Sequence, residues 1–354
     1  MSVPATFKAA LLPKPRETHV VSDRSLASLN SGEVAIKVTA TAINPVDWKI
    51  RDYGVFIKEW PTVLGSDAAG EIAELGPDVS GFEVGDRVFF QGIIGSIDST
   101  TFQQYCKMPH TLLSKTPSNI SDDQAAGIHL TTVAAVTAFY DKTGQGLPAP
   151  WDEGGDQVGK GKAIVVLGGS SSAGQYAIQL ARLSGFERIV TNASPAHHEF
   201  LKKLGAHVVL DRSAASLEDY QAAIGNLPLE FVFDSISVGQ TQKLGVSILQ
   251  ALKVQGSRVV LLGSVDTEAQ ELGQSTEPKV AIRTVIGLGS SPTLRYLSEP
   301  LAKNLGGEDG WIARGLFTPN RVTVTSGGLE KLEEALEKNK RGVSGEKVVI
   351  RPWE

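Results

Sequence analysis

A single cysteine, Cys106, stands in 354 residues. That excludes an intrachain disulfide framework and any zinc site built from several cysteines. Cys106 itself reads as a small core hydrophobe rather than a nucleophile. No run approaches 18 consecutive apolar residues, so no membrane span is expected. The apolar start is broken by Lys8 and stopped by Pro13 and Pro15, which leaves it too short for a signal-peptide core. The final Arg351-Pro-Trp-Glu354 carries no lipidation or retention signal, and the expected location is cytoplasmic. Positive charge is in deficit: 34 Lys and Arg against 39 Asp and Glu give a net −5, which argues against a surface made for nucleic-acid phosphates. The six histidines are scattered except for His197-His198, a pair that reads as solvated surface rather than as metal ligands. No repeat of solenoid period is present. What is there is an ordinary soluble composition, 41% hydrophobic and 21% charged with 37 glycines, enough for two or three domains of an α/β protein.

The first ~125 residues read as β-rich. Glu33–Ala40 alternates polar and apolar residues as a half-buried strand does, with Gly70–Leu75 and Asp86–Phe90 as further short strands. Turn signals at Asn30–Gly32, Gly76–Asp78, Gly81 and Gly85-Asp86 separate them, a spacing that suits a partly open barrel or sandwich. From Ser121 a capped helix start runs into an Ala/Thr/Val-rich stretch to about Tyr140. Residues 144–160 are rich in Gly, Pro and acids and read as a surface connection or insertion. Strand and helix patterns then alternate. The predicted strands are Ala163–Leu167, Arg188–Thr191, His207–Leu210, Phe231–Asp234, Arg258–Leu262 and Thr284–Leu288, with helices such as Gly174–Leu183 and His198–Leu204 between them. Such alternation predicts a parallel sheet covered by helices on both faces. A terminal helix, Gly328–Lys340, and strand, Lys347–Arg351, are expected to return to the first domain.

The most informative stretch is Val165-Val-Leu-Gly-Gly-Ser-Ser-Ser-Ala-Gly-Gln-Tyr-Ala-Ile-Gln-Leu180, an apolar strand, a small-residue turn and an amphipathic helix. Backbone approaches a pyrophosphate only where side chains are small, and the helix N-terminus then offers free N–H groups and positive dipole to the anion. Strict GxGxxG is absent. The βα alternation around the turn supports a dinucleotide site over a plain tight turn in a cofactor-free protein. About 20 residues on, where an acid usually holds the ribose of NAD, the chain reads Val190-Thr-Asn-Ala-Ser-Pro-Ala-His-His198. With no acid to repel a 2′-phosphate, and with Ser194 to hydrogen-bond it near His197 or Arg212, the reading favours NADPH. Ser194-Pro195 also suits an ordinary helix N-terminus, and the two readings are compatible.

Five pieces together resemble the medium-chain dehydrogenase/reductase superfamily. They are Ala42-Ile-Asn-Pro-Val-Asp-Trp-Lys49, Pro61–Gly70, Val84-Gly-Asp-Arg-Val88, the glycine turn, and Val343-Ser-Gly-Glu-Lys-Val-Val349. The details look most like fungal zinc-lacking members, among them quinone-oxidoreductase-like reductases and trans-acting enoyl reductases that serve polyketide synthases. The resemblance implies a GroES-like β-rich catalytic domain over residues 1–127, a Rossmann doubly wound parallel sheet over 128–305, and a return to the catalytic domain over 306–354, with a cleft between domains. Zinc-dependent relatives carry a Cys early in the first domain and a Gly-His-Glu after the Val-Leu. Here those positions fall in Asn44-Pro-Val-Asp47 and Gly65-Ser-Asp67, so no metal is expected.

Carried over by position, the resemblance places the nicotinamide half near Val46, Asp47, Trp48 and Lys49. The diphosphate falls on Ser170, Ser171, Ser172 and Ala173, and the 2′-phosphate on Ser194 and His197 with Arg212 as cation or stacking partner. Leu262-Gly263 and Val343-Ser344 flank the nicotinamide and its ribose. The substrate wall comes from Thr131, Thr132, Ala134, Ala135 and Ala138, and from Val280, Ala281 and Thr284. His129 is a donor or, the favoured reading, a cap on its helix. Tyr53 is the candidate proton donor, with solvent as the other source. The implied activity is metal-free, NADPH-dependent hydride transfer to an activated C=C, an enone or enoyl thioester, or to a quinone. The substrate is a small molecule or an acyl-carrier-bound chain, and the protein is a monomer or homodimer without nucleic-acid or membrane partners. An NADPH-binding scaffold without activity is the alternative of a different class. A zinc alcohol dehydrogenase is a distant third reading.

Overall fold

A computed structural model describes residues 3–354. The chain forms two compact units, one taking in the chain up to Leu130 and again Leu288–Glu354, the other Thr131–Gly287. In chain order the first unit contains β1 (Phe7–Leu12), β2 (Val20–Arg24), β3 (Glu33–Ala42), α1 (Pro45–Tyr53), β4 (Thr62–Val63), β5 (Ala68–Leu75), β6 (Arg87–Phe90), β7 (Tyr105–Pro109), β8 (Ser114–Lys115) and α2 (Asp122–Ala125). Helix α3 (His129–Tyr140) starts in the first unit and continues into the second. The helix predicted over 121–140 is thus two, broken near Gly127. A Cβ there would lie 2.6 Å from Cγ of Lys347, so the position is kept open for that side chain.

The second unit holds β9 (Ala163–Leu167), α4 (Ser172–Leu183), β10 (Arg188–Ala193), α5 (His198–Leu204), β11 (Val208–Asp211), α6 (Leu217–Ile224), β12 (Leu229–Asp234), α7 (Gly239–Ala251), β13 (Arg258–Leu261), α8 (Thr267–Ser275) and β14 (Ala281–Thr284). Its six strands are all parallel in the order β11-β10-β9-β12-β13-β14. This is the doubly wound Rossmann order, and it reverses between β9 and β12, where such sheets bind ligands beyond the strand ends. Strand β9 is buried at all five positions, as a central parallel strand must be. Its Ala163, Val165 and Leu167 pack with Val190, Val232, Val246, Leu249 and Val259 into one core.

The last strand differs from the sequence expectation. It is Ala281–Thr284, not Thr284–Leu288. Val285 still donates to the Leu261 carbonyl of β13 at 3.0 Å, and beyond it the chain leaves the sheet: Ile286 is exposed, and Gly287 sits so close to Ala134 that a Cβ would meet its Cα at 2.5 Å.

The chain then adds α9 (Arg295–Leu305), β15 (Arg321–Val324), α10 (Leu332–Lys340) and β16 (Glu346–Ile350) to the first unit. The return therefore begins at Leu288 rather than at 306. Helix α9 belongs here because the Ser114 hydroxyl donates to the Ala302 carbonyl and Thr111 bonds Glu299. One sheet of this unit runs β15-β16-β3-β5-β6-β8 with β7 also on β3, and a smaller one runs β2-β1-β4. Such β-rich architecture is GroES-like. Strand β3 is its organiser, paired to β5, β7 and β16.

Candidate active site

The glycine turn leaves β9 and enters α4. Gly168 has φ +78°, a left-handed conformation that favours glycine. Gly174 brings the helix against the strand end: a Cβ there would lie 2.3 Å from the Gly168 carbonyl oxygen and 2.8 Å from Gly169 Cα. Ser171 caps the helix, its hydroxyl accepting from the Gly174 amide at 2.9 Å and donating to Ser235 Oγ at 2.8 Å. Among the described residues the amides of Ser172 and Ala173 have no protein acceptor. They are the donors a helix N-terminus offers to an anion. Asn192, which the sequence reading passed over, fixes the turn from β10: its Oδ1 accepts the Gly168 amide at 2.7 Å and its carbonyl the Gly169 amide at 3.0 Å. The signal for it was a polar residue inside a buried parallel strand.

Ser194 follows the end of β10 and Arg212 the end of β11, and the Arg212 amide donates to the Ala193 carbonyl at 3.1 Å. The two therefore sit on neighbouring strand ends, beside the turn that follows β9. The Arg212 side chain is exposed, and no acid ends β10. Asp211, at the end of β11, turns its carboxylate to the amide and hydroxyl of Ser213, at 3.0 and 2.7 Å, which hold it below the usual range. His197 is part-buried in the short turn Pro195–His197. His198 bonds the Ala193 carbonyl through Nε2. On the far side of the switch point, Leu262 gives its amide to Ser237 Oγ at 2.9 Å, and Thr284 Oγ donates to the Gly263 carbonyl at 2.8 Å. Thr131, Thr132, Ala135 and Ala138 are buried in α3, and Ala134 is part-buried. Val280 is buried and Ala281 exposed.

In the first unit the Val46–Lys49 stretch is helical. It forms the opening of α1, capped by Asn44 with Pro45 in the first turn. Val46, Trp48 and Val343 pack on one apolar cluster, which brings the two expected nicotinamide-flanking segments of this unit together. Ser344, next to Val343, is exposed. The Trp48 indole donates to Asn339 Oδ1 at 3.1 Å, and the ammonium groups of Lys49 and Lys340 lie 5.6 and 5.9 Å from its ring centre. Arg51 locks α1 to α10: its guanidinium, 7% exposed, reaches Asp52, Glu333 and Glu337 at 2.8, 2.6 and 2.5 Å. Tyr53 ends the helix, 64% exposed.

Beneath α1 lies a buried charged cluster. Asp47 is fully buried; its oxygens accept from the Asn44 amide at 2.7 Å and the Ser66 hydroxyl at 2.8 Å. Asp67, also fully buried, accepts from the Leu130 amide at 3.1 Å. Lys347 reaches in from β16, donating to Asn44 Oδ1 at 2.6 Å with Asp67 at 3.6 Å. Burial pushes both carboxyls up to about 7 against the pull of these donors, and burial lowers the Lys347 ammonium. Ser66 and Lys347 were not read as site residues. Among the described residues no group of three or more His, Cys, Asp or Glu side chains gathers as a metal would need. His129 packs on Phe89 and bonds Ser114, and burial holds it neutral, with its pKa down at about 3.

Two family models match the chain: an alcohol dehydrogenase GroES-like domain over residues 30–118 and a zinc-binding dehydrogenase over 173–297. A trans-enoyl reductase of Aspergillus japonicus, himH, is 31% identical over 97% of this chain and 96% of its own length. The chain is a medium-chain dehydrogenase/reductase. Within this superfamily it is also similar to dehydrogenase orsE of Emericella nidulans, 31% identical over 98% of this chain and 99% of that protein. A trans-enoyl reductase of Aspergillus terreus, tazE, is 38% identical over 58% of this chain and 69% of its own length. The fold is that of the quinone oxidoreductase from Coxiella burnetii, with TM-score 0.69, 21% identity and coverage of 98% and 99% of the two chains. A second solved relative, an alcohol dehydrogenase superfamily protein from Novosphingobium aromaticivorans, gives TM-score 0.76 at 21% identity, covering 98% of this chain and 99% of that one. A nicotinamide-dinucleotide-binding oxidoreductase is what this membership establishes. Among the described residues no helix is long and apolar enough to cross a membrane.

Proposed function

We propose that the chain is a cytoplasmic, NADPH-dependent reductase of an activated C=C, an enone or enoyl thioester, or of a quinone, working without a metal. The observation that carries this is the pairing of two features on adjacent strand ends. One is an anion-ready helix N-terminus at Ser172-Ala173. The other is an acid-free end of β10, where Ser194 follows Ala193 and the exposed Arg212 is bonded through its amide to the Ala193 carbonyl. Ser170, Ser171, Ser172 and Ala173 would hold the diphosphate, and Ser194 and Arg212 the 2′-phosphate, with His197 beside them. When bound, NADPH supplies a hydride.

The chain's own contribution is positioning. Small residues let backbone approach the phosphates, and charge-assisted hydrogen bonds select the phosphorylated ribose. An activated alkene carries its own carbonyl or thioester to take up charge, so the protein needs to supply donors and a proton rather than a Lewis acid. Tyr53, exposed at the end of α1, is the candidate for the proton, with solvent as the other source. The donor set under α1 supports the metal-free reading, because Asp47 and Asp67 are already engaged by Ser66, Asn44, Leu130 and Lys347.

The names of himH and tazE, both trans-enoyl reductases, favour an acyl-carrier-bound enoyl thioester as substrate. The test is NADPH oxidation with a crotonyl thioester, an enone and a 1,4-quinone, beside titrations with NADPH and NADH. Turnover of the thioester with NADPH is expected. Binding without turnover of any acceptor would favour a scaffold, and no binding of either dinucleotide would end the reading.

A further inference from the structure

The cluster under α1 is costly to maintain. Two carboxylates and one ammonium are removed from water, with Asp47 and Asp67 at 0% and Lys347 at 3% exposure. A lysine so enclosed is rare unless paired, and burying ions is compensated only when geometry and hydrogen bonds are good. Here they are. Four segments far apart in the chain converge: the Asn44 cap and Asp47 on α1, Ser66-Asp67 ahead of β5, the first turn of α3 through the Leu130 amide, and Lys347 on β16. Gly127 is bare so that the lysine stem can pass. Three of the links end at the start of α1, and the Leu130 bond holds Asp67 beside the same ammonium. Asn44 receives the ammonium on its side chain while its amide goes to Asp47, and Ser66 holds the other Asp47 oxygen.

We propose that Lys347, with Asp67, is a positioning residue: through Asn44 and Asp47 it sets the orientation of the Val46–Lys49 turn and so the geometry of hydride transfer. This rests on the reductase reading above for its catalytic consequence, but not for its structural one. An apolar core would fill the same space more stably, as buried ion pairs replaced by hydrophobic residues often show. What the ion cluster adds is direction, because hydrogen bonds fix the helix start where packing alone would let it slide.

The decisive variant is the charge-balanced pair Lys347→Met/Asp67→Asn, since Lys347→Met alone leaves unpaired carboxylates and can fail to fold. Ser66→Ala removes one hydrogen bond to Asp47 and no charge, and serves as the second probe. In the folded variants, amide hydrogen exchange across residues 44–53 should speed up at least ~10-fold, whether or not the protein turns over any acceptor. NADPH affinity, to which the phosphate contacts of the second unit contribute most in this reading, should change far less than kcat, by no more than about 2-fold. kcat should fall roughly 10–100-fold in the double variant, the scale expected when reacting groups are misplaced by about 1 Å. Unchanged exchange or unchanged kcat in a folded variant overturns the proposal. A wild-type protein that binds NADPH and reduces nothing overturns the reductase reading instead, and the exchange data still judge this one.

Discussion

Gly174→Ala is the sharpest test of the phosphate-binding turn. The added methyl would meet the Gly168 carbonyl oxygen at 2.3 Å and Gly169 Cα at 2.8 Å. Both obstacles are backbone of the turn itself, so neither can swing aside as a flexible side chain would. An ordinary contact needs about 1 Å more, so α4 must withdraw from the strand end by about that much, or the turn must open. Overpacking of this kind costs about 1–3 kcal/mol, which for a unit of this size lowers Tm by roughly 2–10 °C. The effect on function should exceed the effect on stability, because the amides of Ser172 and Ala173 move with the helix. Dinucleotide affinity should drop by roughly 10–100-fold. The assay is a pair of measurements on one preparation, calorimetric titration with NADPH and a thermal melt. Gly81→Ala is the control: its backbone, unlike that of helical Gly174, is left-handed, and nothing lies within 4 Å of the new methyl. It should lose about 1 kcal/mol of stability and no affinity. A Gly174→Ala protein that melts and binds NADPH like wild type would refute the claim that this glycine is there for close approach.

Three further outcomes follow from the same geometry. Arg212→Ala should weaken NADPH about 10-fold and leave NADH unchanged in parallel titrations, the loss expected for one charge-assisted contact; equal losses for both would remove Arg212 from the 2′-phosphate site. Arg51→Met should cost about 2–3 kcal/mol by chemical denaturation, below the figure for a fully buried pair because its carboxylate partners are partly wet; a change under 0.5 kcal/mol would show that the three-carboxylate clamp does not hold α1 to α10. His129 has a folded pKa depressed to about 3 from an ordinary value near 6.5, so its neutral form is the stable one. Its contribution is complete above pH 6.5 and is lost as pH falls from there toward 3, by up to about 1.4 kcal/mol per pH unit. Melts of His129→Gln between pH 7 and 4 should show a shallower acid slope than wild type, and identical slopes would contradict the assignment.

Much of the second unit was legible because its strands are short, apolar and punctuated. Ala163–Leu167 was readable to the residue, since a central parallel strand is apolar at every position. β14 was not, for the opposite reason. Ala281-Ile-Arg-Thr284 is a polar edge strand, while the apolar stretch that imitates a strand leaves the sheet after Val285. The break in the helix over 121–140 was hidden because one glycine in an Ala-rich run is tolerated in helices, and the side chain that needs Gly127 bare, Lys347, lies 220 residues away. Asn192 and Ser66 were missed for a related cause. A polar residue in a buried strand marks Asn192 as bonded to something, but nothing local names the partner, the Gly168 amide for Asn192 and the Asp47 carboxylate for Ser66.

The metal question rests on that same long-range feature. The resemblance assigns the first ligand position of zinc-dependent relatives to Asn44–Asp47 and the second to Gly65–Asp67. In this chain both positions are tied to Lys347, an ammonium that cannot be a ligand while protonated and repels a divalent ion placed beside it. Asp47 offers no uncommitted oxygen, and Asp67 faces the ammonium. A zinc ion entering here would have to break at least the Asn44 and Ser66 hydrogen bonds and expel the lysine, and it would gain two carboxylates where about four ligands are needed. Protein dialysed against excess Zn²⁺ and then freed of unbound metal should therefore carry far less than one equivalent by elemental analysis, with Tm unchanged. One retained equivalent together with a raised Tm would mean that Lys347 yields to a cation, and the metal-free mechanism would have to be given up.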